Sequence, residues 1–482
     1  MQEDRDAHSE GAAPVAAGTM GRTAVEAPPP KPPAPYSGHE IAVARLLQRI
    51  THWPFRTGHL LHLSERIPAL DLLAWLQANP EGARTFWQNR ERTLAIAGLG
   101  VAVELTAQSG HEYGRLLERC YSILGDRDTM FLGGLSFDGR SGHDEWAAFP
   151  GASLVLPAIA CVQRHGEYRL SVHLWAESRQ EFIRRKTQLI AALSRLRFRD
   201  RVGTDPSPAR VTSRHDDLDF AGCQRHIQAV LNEIASGKLH KAVLARRVEL
   251  GLAAPLAPFE VLRRWRDVNP GSFCFAMERG PDLFMGCSPE RLYRRCHREF
   301  RTESLAGTVR IGQTREEDAA LEARLHRDPK LVQEHDLVTR FVRGQIDPWV
   351  TDVDSPVQAG VFKLDRIQHR HLPIRATLKP GVFDPPLLDA LHPTPAVCGF
   401  PRGAAQALIH REETAQRGWY SGAVGVVSPQ ESEFTVAIRS VLLNHQRILC
   451  YSGVGIVAGS DPDEEWNELE AKIESFLSVL EC

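Results

Sequence analysis

The sequence predicts an α+β protein. Long alternating apolar runs read as paired strands. Helix-length stretches with apolar residues three and four apart lie between them. The composition is globular, 43% hydrophobic and 24% charged over 482 residues, enough for one large or two ordinary domains. No fixed-period repeat is visible.

Residues 1–38 are rich in Ala, Gly and Pro, with six prolines in the eight positions 28–35. Such a tail cannot bury a core and is expected to be disordered or polyproline-like. Order begins near Ile41 with a first helix or strand. Residues 60–67 alternate as a strand; 84–90 and 93–99 follow as strands. A helix is expected around 111–124 and a short glycine-broken strand over 131–138. Residues 152–162 and 168–174 flank His165-Gly166 as the arms of a hairpin. Residues 177–196 read as helix and 202–213 as a surface connection. The apolar face of Ile227, Val230, Leu231 and Ile234 predicts a helix over 220–237, stopped by Gly237. Then come a strand at 241–250, a helix at 259–268, and a strand pair at 272–277 and 283–286. A long helix starts at Asp328 and turns out by Trp349. Strands at 422–427, 433–443 and 447–457 precede a closing helix over 461–480.

The 58 Lys and Arg nearly balance 60 Asp and Glu, a formal net charge of −2, which argues against nucleic acid as a partner. The nine cysteines are scattered with no C-x-x-C pair, so reduced, mostly buried thiols are expected rather than disulfides or zinc. The acidic, polar start carries no secretory signal. The longest apolar stretch, residues 154–162, is broken by Pro157, whereas a membrane span needs about 20 residues. A cytoplasmic protein with no membrane contact is expected.

The last helix is the most informative segment. Asp461 can cap it, Pro462 suits its first position, and Glu464 completes a box-like start. Beside its apolar stripe stand Glu465, Glu468 and Lys472, at spacings of three and four. They read either as a solvated face or as carboxylates for a hard cation. Glu334, on the helix from Asp328, is by itself an ordinary charged residue. Glu290 follows a strand and a proline, and could cap a helix or donate a proton. Lys241 opens an apolar strand: exposed at the strand start it is bland, but facing inward it would be desolvated and suited to a general base. Gly307-Thr308 and Gly453-Val-Gly455 place glycines where backbone N–H groups could approach an anion, or are plain turn chemistry. Arg439, expected to end the strand Phe434-Thr-Val-Ala-Ile-Arg, is costly there without a carboxylate and reads as an anion clamp. His369-Arg370-His371 is a weak metal signal. His392 and Cys398 lack the partner a thiol hydrolase needs.

Taken in order, these segments resemble the chorismate-utilising enzymes. The matching pieces are Lys241-Ala-Val-Leu-Ala-Arg, Ser288-Pro-Glu, Leu305-Ala-Gly-Thr, Glu334-His, Leu391-His-Pro-Thr-Pro-Ala, Gly418-Trp-Tyr-Ser-Gly-Ala-Val-Gly, Val436-Ala-Ile-Arg, Gly453-Val-Gly-Ile and Asp463-Glu-Glu-Trp-Asn-Glu-Leu-Glu-Ala-Lys. They span roughly residues 220–482; Phe86-Trp-Gln and the 131–138 segment match more loosely. Branches of the family that add water to the ring carry a lysine at the position of Lys241. Ammonia-using branches usually carry glutamine there, and aminodeoxychorismate synthase commonly has a lysine where this chain has Ala306. Leu331 stands where an acidic residue is frequent, and Ser304 where proline is common.

The resemblance implies one large domain of two facing, mainly antiparallel sheets with outer helices. Residues 39–213 would form its N-terminal part and 214–482 its chorismate-binding catalytic core. It implies an isochorismate synthase, of the kind that serves menaquinone or siderophore synthesis. The alternative is a salicylate synthase, which goes on to eliminate pyruvate. Mg²⁺ would be held by Glu334 and Glu468 with Glu465 nearby. Lys241 would be the base and Glu290 the acid. Tyr420, Arg439 and backbone N–H groups near Gly453 and Gly455 would bind the pyruvyl carboxylate. Gly307, Thr308 and Lys472 would support the ring carboxylate and metal, with His392 a further substrate contact. A monomer or weak homodimer is expected.

Overall fold

The computed structural model describes residues 37–198, 209–364 and 367–481. The proline-rich tail and most of the 202–213 connection lie outside them. Residues from Gly38 onward form one compact unit. Among the described residues are eleven α-helices and two antiparallel sheets, as the sequence and its resemblance imply.

The first sheet has 12 strands. It runs from Leu61–Ile67 through Glu167–Leu174, Ile159–Arg164, Leu94–Leu99 and Arg84–Gln88. It continues through Phe273–Arg279, Asp282–Ser288, Ser440–Asn444, Arg447–Val457 and Lys241–Leu252 to the short edge strand Gly399–Phe400. The second has 10 strands. Its path is Val350–Asp354, Ile367–Leu378, Glu299–Arg310, Arg291–Cys296, Glu431–Val436, Ala423–Val427, Phe131–Leu135, Ala152–Leu156 and Val103–Ala107. Both sheets thus contain strands from before and after residue 213, each set forming one contiguous block.

The sheets face each other across an aromatic core. Trp87, Phe273 and Phe275 from the first sheet meet Leu132, Val424 and Val426 from the second. Trp146, Phe149, Phe284 and Trp419 stack edge-on between them, with ring centroids 5.3–6.3 Å apart, the favoured aromatic geometry. Helices cover the outer faces: the first, Gly38–Thr51, packs on the first sheet, and Pro329–Ile346 on the second.

Several expected boundaries shift for physical reasons. The 152–162 arm is two strands in different sheets, because Pro157 has no N–H for a ladder; the hairpin itself turns at His165-Gly166, both at positive φ. The 433–443 run divides likewise: Glu431–Val436 lies in the second sheet and Ser440–Asn444 in the first, with Arg439 at φ +50° where the chain crosses over. Arg439 therefore does not end a strand. Val103–Ala107 is a strand with clean in–out alternation. Val211–Asp216 is an exposed edge strand within the supposed connection. The strands Glu299–Arg310 and Ile367–Leu378 had no reading from the sequence, although they pair over 11 registered positions.

Candidate active site

The site forms where the edge of the first sheet meets the helices Pro329–Ile346 and Pro462–Glu481. Lys241 begins its strand, and its side chain is 1% exposed. It faces inward, not toward solvent. Nζ donates to Glu334 Oε1 at 2.9 Å. The neighbouring strand makes room for this pair: a Cβ on Gly455 would stand 2.5 Å from Glu334 Oε1 and 2.9 Å from Lys241 Cε. Only hydrogen at this Cα lets the backbone come so close.

Glu334 reaches the pair from a helix started by Asp328, whose side chain accepts from Lys330 N–H, with Pro329 in the first turn. The next residue points the other way. His335 is buried against Ser304 Oγ, 3.1 Å away, and burial lowers its pKa to about 4. The Glu-His pair thus divides its duties: one side chain for the site, the other to seat the helix on a strand.

Asp461 caps the last helix through Asp463 and Glu464 N–H, at 2.9 and 3.0 Å. Glu464 lies near Arg324 and Lys330 instead of closing a box. Glu465 is buried and takes Lys330 Nζ at 2.6 Å. Burial, then the nearby Glu468 charge, raise its pKa to about 7 against the pull of Lys330. Glu468 takes Lys472 Nζ at 2.6 Å, and Lys472 also donates to Gly453 O at 2.7 Å. The solvated-face reading of this helix therefore fails for Glu465, which is 2% exposed.

Among the described residues no three His, Cys, Asp or Glu side chains are drawn together as a ready metal cage. Each of the three carboxylates has a lysine instead: Lys241, Lys330 and Lys472. The donor set still fits a divalent cation. Glu465 and Glu468 crowd one another enough to raise a pKa, Glu334 adds charge beside Lys330, and all donors are the hard oxygens that Mg²⁺ takes.

Glu290 does not cap a helix. It sits on a tight link between Asp282–Ser288 and Arg291–Cys296, 5% exposed. Burial, then the charge of Glu303, push its pKa up to about 8, with Lys241 pulling it back. At neutral pH it holds a proton.

Arg439 is half-buried, and its Nη2, itself buried, has no hydrogen-bond partner among the described residues. Burial depresses its pKa, partly offset by Glu468 and Tyr420. The carboxylate partner expected of it is absent among the described residues, which leaves a guanidinium ready for an anion. Tyr420 stacks on Tyr451 with ring centroids 5.1 Å apart, and its hydroxyl lies against Gly453, where a Cβ would come within 2.8 Å. Gly307, at φ +77°, makes a bulge between Ala306 and Thr308 in the pairing with Ile367–Leu378, the re-aiming device of strands near sites. Thr308 Oγ1 then meets His369 Nδ1 at 3.0 Å. Burial, then Arg439 and Lys472, hold His369 well below the usual imidazole range, so it reaches the same site as a neutral ring.

His392 is the exception. It is fastened by Nε2 to Ser136 O at 3.1 Å. No hydrogen bond or ion pair among the described residues joins it to the cluster. Conversely, Lys330 and Glu303 escaped the sequence reading, and His369 entered it only as part of a weak metal signal. Lys330 could have been found, since it lies four residues before Glu334 on one helix face.

A buried lysine, a protonated carboxylic acid and an unpartnered arginine, closed between sheet edge and helices, make an enzyme site for a small anionic substrate. The chain belongs to the chorismate-binding enzyme family, whose model matches residues 46–481. It is 31% identical over 403 residues to the salicylate biosynthesis isochorismate synthase of Pseudomonas aeruginosa, covering 82% of this chain and 84% of that one. It is also 31% identical over 450 residues to the isochorismate synthase MenF of Escherichia coli, covering 88% and 97%. The solved structure of the Escherichia coli MenF, a menaquinone-specific isochorismate synthase, superposes with a TM-score of 0.80 at 28% identity, over 91% of this chain and 99% of that one. No helix among the described residues is long and apolar enough to cross a membrane.

Proposed function

We propose that this enzyme is an isochorismate synthase, converting chorismate to isochorismate by adding water at C2 and expelling the C4 hydroxyl. The observation that carries the reading is the opposed pair at the site: a buried lysine beside Glu334 and, facing it, a Glu290 that keeps its proton near neutral pH. The relatives named above have the same activity in their names.

Lys241 takes a proton from water as the oxygen bonds to C2. A neutral amine can keep one N–H on Glu334 and turn its lone pair to that water. The ring double bond moves, the C4–O bond breaks, and Glu290 gives its proton to the departing hydroxyl, which leaves as water. One water enters and one leaves. The base ends with one proton more and the acid with one fewer, and transfer through solvent resets both. Each group contributes about 10²–10⁴ in rate.

Arg439 binds the pyruvyl carboxylate with Tyr420 and the backbone near Gly453 and Gly455. Thr308, on the Gly307 bulge, faces the ring. Glu334, Glu468 and Glu465 would hold Mg²⁺, which supplies neutralisation of the ring carboxylate. Lys472 keeps Glu468 and Gly453 in register for this. The test is incubation of the protein with chorismate and Mg²⁺, with chromatography and salicylate fluorescence as readouts. Isochorismate without salicylate is expected. Fluorescent salicylate with pyruvate would instead make it a salicylate synthase.

A further inference from the structure

Glu303 is a carboxylate that the reaction above does not use, yet it is among the most tightly held in the molecule. It lies on strand Glu299–Arg310 with its side chain 1% exposed. Arg90 grips it with both fork nitrogens, at 2.8 and 2.7 Å. His371 donates from Nε2 at 3.0 Å, and Arg291 N–H at 2.8 Å. Burial alone would raise its pKa, but Arg90, His371 and Arg291 outweigh this and hold it well below the usual carboxylate range. It is a fixed anion.

The Arg291 N–H belongs to the peptide that follows Glu290. Arg90 also donates to the Pro289 carbonyl at 3.2 Å. The other backbone groups of this link are taken as well: Glu290 N–H by Ser288 Oγ at 3.3 Å, and Glu290 O by Thr435 Oγ1 at 2.6 Å and Val436 N–H at 3.0 Å. Every main-chain group around the acid is held while its carboxyl stays free of hydrogen bonds among the described residues. The charges facing that carboxyl are Glu303 and, from the opposite sheet, Lys241. The Arg291 guanidinium is spent on Glu91 and Glu433.

We infer that Glu303 is the positioning residue of the proton donor: with Arg90 and His371 it fixes the peptide that carries Glu290, and as a buried anion facing Glu290 it keeps the proton on that carboxyl. This rests on the reading of Glu290 as the acid. It also gives Arg90, from the N-terminal part of the chain, a share in the site.

The test compares wild type, Glu303→Gln and Arg90→Gln. The pH profile of kcat/KM is one readout. The other is the infrared band of the protonated Glu290 carboxyl, isolated by subtracting each protein's own Glu290→Gln counterpart. Losing the like charge in Glu303→Gln moves the alkaline limb, and the pH at which the band disappears, down by about one pH unit or more. Arg90→Gln leaves the anion less neutralised and moves both up. If Glu303→Gln fails to fold, Arg90→Gln decides: an upward move supports the inference, and an unmoved or lowered limb and band overturn it. A uniform fall in kcat with the limb and band unmoved would make Glu303 a strut only, and overturn it. Shifted bands in a protein that makes no isochorismate would uphold the inference and overturn the functional reading.

Discussion

One added methyl group at Gly455 should disable this enzyme without unfolding it. A Cβ there would stand 2.5 Å from Glu334 Oε1 and 3.1 Å from Lys241 Nζ. Optimal non-bonded contacts lie near about 3.5 Å, so the Glu334 carboxylate must retreat by about 1 Å and take the lysine with it. The atoms that must move are the ends of flexible side chains, and Gly455 is not at a positive φ. The backbone can therefore keep its place, and the melting temperature should change by no more than about 3 °C. Displacement of a reacting group by about 1 Å costs roughly 10²-fold, about 2.7 kcal/mol in the barrier. The assay is kcat/KM for isochorismate formation alongside a melting curve. Gly344→Ala is the control: it lies on the same helix as Glu334 with nothing within 4 Å of its would-be Cβ, and should leave kcat/KM unchanged. A folded Gly455→Ala enzyme with turnover within about twofold of wild type would refute the placement of the Lys241–Glu334 pair at the reaction centre.

Lys241→Ala should lower turnover in both directions by about 10²–10⁴ while calorimetry still records chorismate binding; lost binding would make the lysine a substrate clamp. Glu290→Gln should be inactive yet gain stability relative to wild type as pH rises. The folded protein keeps the Glu290 proton up to about pH 8, whereas the unfolded chain gives it up near the ordinary carboxyl value of about 4.3. Wild-type stability therefore drains away between those values and levels off above them, by a few kcal/mol on the order of linkage estimates. Melting curves from about pH 5 to 9 should show the gap widening, and a constant gap would contradict a buried protonated Glu290. Glu334→Gln and Glu468→Gln should each weaken Mg²⁺ binding in equilibrium dialysis while keeping the fold; unchanged binding in both would remove these residues from the metal site.

Local chemistry was legible in the sequence wherever it depended on spacing along one element. Glu465, Glu468 and Lys472 fall on one stripe of the last helix, and Asp461 caps it as its position suggests. Which way Lys241 faced was not legible, because that depends on the strand beside it. The register against Arg447–Val457 sets Val243 opposite Gly455, and only there does the gap for a lysine and a glutamate open. Arg439 looked like a strand end because its run of apolar neighbours continues on both sides. The chain in fact changes sheets there, and that crossover aims the arginine inward. Glu303 could not be read at all: its partner Arg90 is 213 residues away, and a lone Glu in a mixed strand carries no local signal. In the sequence His369 and His371 stand together as a weak metal signal. The structure gives the two rings separate partners, Thr308 and Glu303, across a bulge that a single glycine produces.

The source of one oxygen atom tests the proposed reaction most directly. Chorismate and Mg²⁺ are incubated with the enzyme in oxygen-18 water, and the product is separated and weighed by mass spectrometry. If Lys241 activates water toward C2 while Glu290 expels the C4 hydroxyl, the product is isochorismate carrying one solvent oxygen in its ring hydroxyl. Unlabelled isochorismate would mean that the original hydroxyl migrates, and no isochorismate at all would mean that the opposed lysine and glutamic acid serve another reaction.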